Sequence, residues 1–383
     1  MRLALALLLS VVLAACAAPP PPPAQTLFED AAFRPPGVRI DPAAVFALSG
    51  EMRDYLDHEL ADSLRSKGYE RGLVDALYKR SQLRLDYDAK VTRTAAEAFA
   101  ARSGNCLSLV IMTASFAKAL DLPVTFQSAY TDETWSRSGD LYFKSGHVNI
   151  ALGRRLIDRG NDRQATQLMI DFLPAGELQG LRTTPISEQT VLAMFMNNRA
   201  AEALGRGEID DAYWWAREAI RQSPTFLAAY NTLGVVYLRH GERAQADRVF
   251  AEVLAREPAN EQALANRAQV LTLLGRDAEA QALRRRLAEV EPYPPYHFYD
   301  LGRRAMERGD FKAARALFAR EVDRASYQSE FHYWLALADF RLGDIDAARR
   351  QLDLARENST TRDDHDLYAA KLAWLQSYRR PPQ

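Results

Sequence analysis

Three residue types recur every 34 positions along the C-terminal half of the chain. The three series are Gly207, Gly241, Gly275, Gly309 and Gly343; Ala212, Ala246, Ala280, Ala314 and Ala348; and Pro224, Pro258 and Pro292. A fixed period of this size is typical of a solenoid, in which each unit buries its apolar face only against its neighbours. The spacing therefore predicts a stacked repeat array, and it constrains the fold more strongly than any other feature of the sequence.

Each recurring residue suits one position in a pair of antiparallel helices. Glycine takes the left-handed conformation that ends many helices, alanine lets two helices approach closely, and proline cannot continue a helix. The second unit shows the helical spacing best, with Tyr230, Leu233, Gly234 and Tyr237, then Ala246, Phe250 and Leu254. The pattern resembles the tetratricopeptide repeat. It predicts five repeats over residues 193–362, followed by a capping helix and tail in 363–383.

The resemblance implies a binding function for the array. Tetratricopeptide repeats bind peptides or proteins, mostly on the concave surface of the solenoid. Asn198, Asn231 and Asn266 lie in predicted first helices and could contact a peptide backbone, or could simply be solvated. The sequence does not identify the peptide or protein that the repeats bind.

The first fifteen residues are typical of a targeting segment. Arg2 precedes an apolar run from Leu3 to Ala14, which is too short to span a bilayer comfortably. The run ends in Leu13-Ala14-Ala15-Cys16, which resembles the lipobox of bacterial lipoproteins. The resemblance implies cleavage after residue 15, a diacylglycerol on Cys16, and an anchor in the bacterial cell envelope, most often the outer membrane. The alternative is an ordinary secretory signal that is cut at a nearby Ala-x-Ala site.

A proline run from Pro19 to Pro23 follows the cysteine. Such runs adopt an extended conformation and act as semi-rigid spacers. We therefore expect residues 16–40 to be the lipid anchor and a tether, and residues 41–190 to form a separate, non-repetitive domain.

Composition narrows the classes of ligand. The chain has 49 Lys and Arg against 50 Asp and Glu, which argues against a nucleic-acid partner because phosphate binding needs an excess of cations. Its two cysteines provide no disulfide framework. No residue spacing matches a zinc site, so we expect neither a metal nor another cofactor.

The second cysteine, Cys106, begins a helix of unusual composition. Residues 107–120 carry one charge, Lys118, so this helix is predicted to be buried in the middle of the domain. The positive end of the helix dipole favours a thiolate at its first turn. Two polar residues follow on predicted strands. Side chains alternate between two faces along residues 147–152, so His147 lies on the face opposite Val148. By the same alternation along residues 167–173, Asp171 lies on the face opposite Ile170.

This order of residues resembles the transglutaminase-like core, a circularly rearranged relative of papain. The likeness covers roughly residues 92–174 and rests on Gly104-Asn105-Cys106, Gly146-His147 and Ile170-Asp171. It implies an α+β fold with an antiparallel sheet, in which Cys106 is the nucleophile, His147 the general base and Asp171 the orienting carboxylate. Val148-Asn149-Ile150 stands where many members carry an aromatic residue, so the likeness does not define the substrate pocket.

Three further side chains are candidates for the same site. Strand geometry makes Gln127 a candidate for the oxyanion-binding group. Residues 131–145 are predicted to form a polar, aromatic loop before His147, in which Trp135 and Tyr142 are candidates for substrate contact.

Two functions are compatible with the whole sequence. The first is a thiol hydrolase or peptidase, or an amide transferase, that acts through a thioester while the repeats hold a substrate or partner. The second is a catalytically silent, membrane-anchored scaffold for protein–protein interaction.

Overall fold

The computed structural model describes residues 24–78, 85–88, 91–138, 141–154, 167–172, 182–359 and 361–377. For 86, 87, 129–138, 141–146 and 182 the description covers the backbone. The predicted signal peptide, Cys16 and the proline run lie outside the described residues. The described chain forms an α+β unit followed by a helical array.

Six α-helices lie in the described part of the α+β unit. They are α1 (Pro42–Val45), α2 (Gly50–Asp54), α3 (Ala61–Lys67), α4 (Tyr69–Tyr78), α5 (Ala95–Ala101) and α6 (Cys106–Ala119). Ser49 caps a new helix after α1, and a π-helical turn, Tyr55–Glu59, separates α2 from α3. Thr94 caps α5, since its hydroxyl accepts from the Glu97 amide in a capping box.

Two sheets complete this unit. Strands β1 (Asp86–Tyr87) and β2 (Ser103–Gly104) pair in parallel. The larger sheet is antiparallel, in the order β5-β4-β3-β6. Its strands are β3 (Val124–Ser138), β4 (Leu141–Leu152), β5 (Leu168–Ile170) and β6 (Arg182–Ile186). Helix α6 is the centre of the core: every residue from 107 to 117 is buried, as its nearly uncharged sequence predicts.

The predicted loop at residues 131–145 is wrong. These residues extend β3 and β4 into a long hairpin, in which Trp135 is paired with Lys144 and Arg137 with Tyr142. A register shift between Ala129 and Thr134 separates this extension from the regular part of the pairing. His147 therefore lies inside β4 instead of beginning it, and Asp171 directly follows a strand that ends at Ile170.

Five helix pairs and a final helix form the array. The pairs are α7 (Glu188–Gly205) with α8 (Ile209–Gln222), α9 (Leu227–His240) with α10 (Arg243–Arg256), α11 (Glu261–Leu273) with α12 (Asp277–Val290), α13 (His297–Glu307) with α14 (Phe311–Arg324), and α15 (Ser329–Arg341) with α16 (Ile345–Glu357). The five periodic glycines have φ between 74° and 98°, so their predicted left-handed role is confirmed. Helix α17 (Arg362–Ser377) closes the array by burying Tyr368, Leu372 and Leu375.

Residues 24–37, here called the N-terminal strap, pack against the first two repeats. The Phe33 ring stacks on the Tyr213 ring with centroids 3.9 Å apart. The Tyr237 hydroxyl donates to the Leu27 carbonyl at 2.7 Å, and the Trp214 indole donates to the Arg34 carbonyl at 2.6 Å. The predicted tether over residues 16–40 is therefore wrong for this part, because Leu27 and Phe33 have an apolar surface to cover.

Alanine substitutions at two glycines of the array test its packing directly. A Cβ added to Gly234 would lie 2.5 Å from the Phe250 ring, whereas one added to Gly205 would meet nothing within 4 Å. We expect Gly234→Ala to lower the free energy of unfolding by about 1–3 kcal/mol through overpacking. Gly205→Ala should leave it unchanged or raise it slightly. Urea titrations of both variants would measure this, and equal stabilities would contradict the packing described here.

Candidate functional site

Local packing at the start of α6 fixes the position of Cys106. The Asn105 side chain caps the helix by accepting from the Ser108 amide at 2.9 Å and from the Ser108 hydroxyl at 2.7 Å. Residue 104 must be glycine, because a Cβ there would lie 2.7 Å from the Ser108 Cβ. Cys106 is partly exposed at the first turn, where backbone N–H groups lack intrahelical acceptors.

The three residues that the sequence analysis selected meet at this helix end. The imidazole Nε2 of His147 lies 2.7 Å from Asp171 Oδ1. The same imidazole interacts with the Cys106 side chain, which helps to raise the pKa of His147. His147 and Asp171 are both almost completely buried, at 4% and 6% side-chain exposure. A thiol, an imidazole and a carboxylate are thus aligned in the order that nucleophilic thiol chemistry requires.

The surroundings of His147 favour its protonated form. Burial alone would lower its pKa, but hydrogen bonds to Asp171 and Cys106, with the charges of both groups, raise the pKa to about 9. The imidazole is therefore an imidazolium near neutral pH, held between a carboxylate and a sulfur. This charge state is the one in which a neighbouring thiolate is stabilised.

Asn149 belongs to the same site, although the sequence analysis did not select it. Its Nδ2 donates to Asp171 Oδ2 at 3.2 Å, so both oxygens of this carboxylate are held. Period two along β4 places Asn149 on the face of His147, and this signal could have identified it. Opposite Asn149 on β3 lies Gln127, the predicted oxyanion candidate. Gln127 Oε1 and Asn149 Oδ1 are buried and have no hydrogen-bond partner among the described residues.

The other predicted site residues are not brought to this cluster by the described structure. Trp135 and Tyr142 lie on the paired extensions of β3 and β4, and their side chains are outside the described part of the chain. Cys16 is outside it as well. Asn231 is buried and donates to Asn260 at 3.2 Å, so it is neither solvated nor open to a peptide, whereas Asn198 and Asn266 are half-buried.

A buried polar network connects the site to the first repeat helix. Glu202 on α7 accepts from the Thr92 backbone N–H at 2.7 Å, and Arg199 donates to the Thr92 carbonyl at 3.1 Å. The Thr92 hydroxyl in turn accepts from Asn105 Nδ2 at 2.9 Å. Burial raises the pKa of Glu202, against the effect of its bonds to Thr92. Asn105, which caps the Cys106 helix, is therefore connected to the repeat array through Thr92.

Among the described residues, no group of three or more His, Cys, Asp and Glu side chains lies close enough together to hold a metal ion. Within the same residues, every helix is too short or too polar to cross a bilayer.

Comparison with known proteins identifies the repeats. Residues 231–294 and 299–362 match the model of the tetratricopeptide repeat family, so the chain contains tetratricopeptide repeats, as the 34-residue period predicts. Solved structures that cover about half of the chain include PilF of Pseudomonas aeruginosa and a tetratricopeptide-repeat protein of Thermus thermophilus. PilF is 20% identical over 50% of this chain and 87% of its own, and the Thermus protein 18% identical over 47% and 99%; both have a TM-score of 0.29.

A third similar structure is YrrB, described as a repeat protein with an unusual peptide-binding site. It is 19% identical, covers 47% of this chain and 92% of its own, and has a TM-score of 0.25. Likenesses at this level carry no inference about the ligand of the present chain.

The raised pKa of His147 predicts a pH dependence of stability. An unfolded histidine releases its proton near pH 6.5, whereas the folded protein holds this proton up to about pH 9. The stabilisation is therefore complete below about pH 6.5 and is lost as the pH rises through about 9. We expect the stability difference between wild type and His147→Gln to fall across this interval in urea titrations. A constant difference would mean that His147 is neutral in the folded state.

The network around Thr92 predicts different effects of two substitutions at Glu202. Glu202→Ala leaves the buried Thr92 N–H without an acceptor, which should lower the free energy of unfolding by about 1–3 kcal/mol. Glu202→Gln keeps an acceptor oxygen and should retain most of the stability. Chemical denaturation of the three proteins would measure the difference. Equal losses in both variants would show that charge, and not the hydrogen bond to Thr92, is the contribution of Glu202.

Proposed function

We propose that this chain is a binding protein whose repeat array holds a peptide or protein partner. The observation that carries the proposal is the run of five helix pairs closed by α17, of which residues 231–362 include the matches to the repeat family. A solenoid of this kind offers an extended surface in which each unit contributes side chains. The test is selection of peptides from a displayed library on the chain beginning at residue 17, with affinities measured by calorimetry. Absence of any saturable binding would contradict the proposal.

A second function is favoured by a specific observation, the contact of Cys106, His147 and Asp171. We propose that the α+β unit is a transglutaminase-like, papain-type thiol enzyme acting on peptide or side-chain amides. Cys106 would attack the amide carbon as a thiolate, and the His147 imidazolium would protonate the departing amine. The products of this step are a thioester and an amine. Water or a second amine would then cleave the thioester and regenerate the thiol.

The developing negative charge on the carbonyl oxygen has two candidate partners. Cys106 is the first residue of α6, where backbone N–H groups lack intrahelical acceptors. Gln127 lies on the sheet face that carries His147 and Asn149. We favour hydrolysis over transamidation, because water is abundant and no residue suggests a dedicated amine site.

The two proposals join in a single arrangement for the whole chain. The repeats would recruit a protein, and the thiol unit would act on that protein or on a substrate that it delivers. Lipidation of Cys16 would hold the molecule in the bacterial cell envelope, most often at the outer membrane. If the thiol is catalytically silent, the same arrangement is that of a membrane-anchored scaffold.

The thiol proposal predicts how Cys106 reacts with an alkylating reagent. In a chain that begins at residue 17, Cys106 is the single thiol, and no described residue has been removed. Because the His147 imidazole interacts with the Cys106 side chain, we expect alkylation of Cys106 by iodoacetamide to depend on His147. His147→Gln should slow this reaction at least tenfold at pH 6, because a neighbouring imidazolium favours the reactive thiolate. Mass spectrometry of the modified protein gives the rate.

Turnover must follow the same pattern for the thiol unit to be an enzyme. Ammonia release from protein glutamine and cleavage of library peptides should both be measured, with Cys106→Ser as the matched control. Activity that survives Cys106→Ser would exclude this thiol as the nucleophile. Alkylation that depends on His147, without any amide turnover, would leave the binding function as the role of the chain.

A further inference from the structure

The third repeat has a face that no other part of the described chain covers. One hydrophobic cluster runs from the α+β unit into the third repeat, and a second, separate cluster begins at Tyr296. Between them lies a groove of about 330 Å³ between α11 and α12, here called the third-repeat groove. Its lining includes Ala265, Ala268, Thr272, Leu273, Arg284 and Leu287.

The period of 34 residues supplies an internal comparison for this face. Asn231, Phe250 and Val253 are the second-repeat counterparts of Ala265, Arg284 and Leu287. The first three are buried, and α11 packs on α10 of the second repeat. The Asn231 amide also donates to Gln262 of α11 at 3.5 Å. Of the last three, Ala265 and Arg284 are exposed and Leu287 is half-buried. The groove is therefore the place at which a repeat array normally receives a helix, and its shape is suited to one.

A proline-rich segment keeps the next helix of the chain away from this place. After the second repeat, α11 begins three residues after Pro258. After the third repeat, α13 begins five residues after Pro292. Pro294 and Pro295 intervene, and proline forces the residue before it into an extended conformation. The segment is fixed to the fourth repeat instead, since Arg324 donates to the Tyr293 carbonyl at 2.5 Å.

A single cation distinguishes this groove from the covered faces. Where the second and fourth repeats have Phe250 and Phe318, the third has Arg284. Its guanidinium donates to the Thr272 hydroxyl at 2.7 Å and has no carboxylate partner within the described part of the chain. An apolar helix over this guanidinium would remove it from water, and no new hydrogen bond or ion pair would offset the cost of desolvation. An occupant with a carboxylate at this point would remove that cost.

We propose that the third-repeat groove binds an amphipathic helix of a partner protein, with an Asp or Glu placed against Arg284. This inference rests on the proposed binding function and locates one contact within it. The apolar side of the helix lies on Leu273 and Leu287, which are 44% exposed and half-buried in the free protein. Its acidic residue replaces the Thr272 hydroxyl as the partner of the guanidinium. The partner helix thus binds between the third and fourth repeats, in addition to any contact along the continuous surface of the array.

The first experiment asks whether the groove is open in solution. Leu273→Cys in the Cys106→Ser chain beginning at residue 17 provides one thiol in the groove. We expect alkylation of this thiol at the rate of an exposed cysteine, independent of protein concentration. Protection in the monomer would mean that the fourth repeat closes on the groove, and protection that grows with concentration would mean that a second copy occupies it. Either result would overturn the proposal.

The second experiment tests the chemistry of the occupant. A displayed library of peptides as long as one repeat helix, varied in their apolar and charged positions, is selected on the chain beginning at residue 17. Selected peptides should contain an apolar stripe flanked by an acidic residue. Arg284→Glu should weaken their binding at least tenfold, the typical effect of losing a charge-assisted hydrogen bond, and exchanging the acidic residue for Lys should restore it. Leu287→Asp should abolish binding to either peptide.

Arg285→Glu is the matched control, because it makes the same change of charge on the same helix outside the groove lining. It should alter binding less than threefold at physiological salt, where exposed charges are screened. Circular dichroism and thermal unfolding would show that all variants are folded. Peptides that bind equally well to Arg284→Glu and Leu287→Asp would refute the groove and leave the general binding function standing. A library that yields no binder at all would contradict the binding function itself.

Discussion

The helix end that carries Cys106 depends on a threonine that lies outside this helix. Thr92 is almost completely buried, and each of its polar groups has a partner. Its amide and carbonyl are bound by Glu202 and Arg199 of the first repeat helix, and its hydroxyl is bound by Asn105. Buried polar groups are expensive unless they are all satisfied, so this arrangement is held together or lost as a whole. The cap of the Cys106 helix is therefore part of the interface with the repeats.

This dependence gives the repeat array a structural role. The N-terminal strap packs on the first two repeats through Leu27 and Phe33, and the chain returns to the array at α7. The α+β unit is thus inserted between two segments of the chain that both belong to, or pack on, the first repeats. Local unfolding of the first repeats would therefore release the N-terminal strap and break the hydrogen bonds of Thr92 at the same time. A partner that stiffens the array would accordingly also stabilise the thiol site, by the ordinary linkage between binding and folding.

Local patterns made much of this arrangement predictable. The left-handed glycines followed from their period alone, because helix ends demand a conformation that glycine takes at no steric cost. Cys106, His147 and Asp171 could be selected together because the buried helix and the two alternating segments that carry them resemble the transglutaminase-like core. Asn149 was within reach of the same reasoning, since it lies two residues beyond His147 on one strand face. The identity of the array as tetratricopeptide repeats follows from the same spacing and from the family match.

What the sequence did not indicate depends on contacts between distant segments. The bonds from Glu202 to Thr92 span 110 positions, and those from the Tyr237 hydroxyl to Leu27 span 210. Neither pair leaves a periodic signal. The hairpin at residues 131–145 was missed because polar residues in a strand extension look like a loop when their pairing partner is unknown. The break before α13 is different: Pro294, Pro295 and the exchange of phenylalanine for Arg284 are all visible in the sequence. Their meaning appears only when the third repeat is compared with the repeats on either side. An unusual residue in a repeat protein is recognised by comparison with the equivalent positions of the neighbouring repeats.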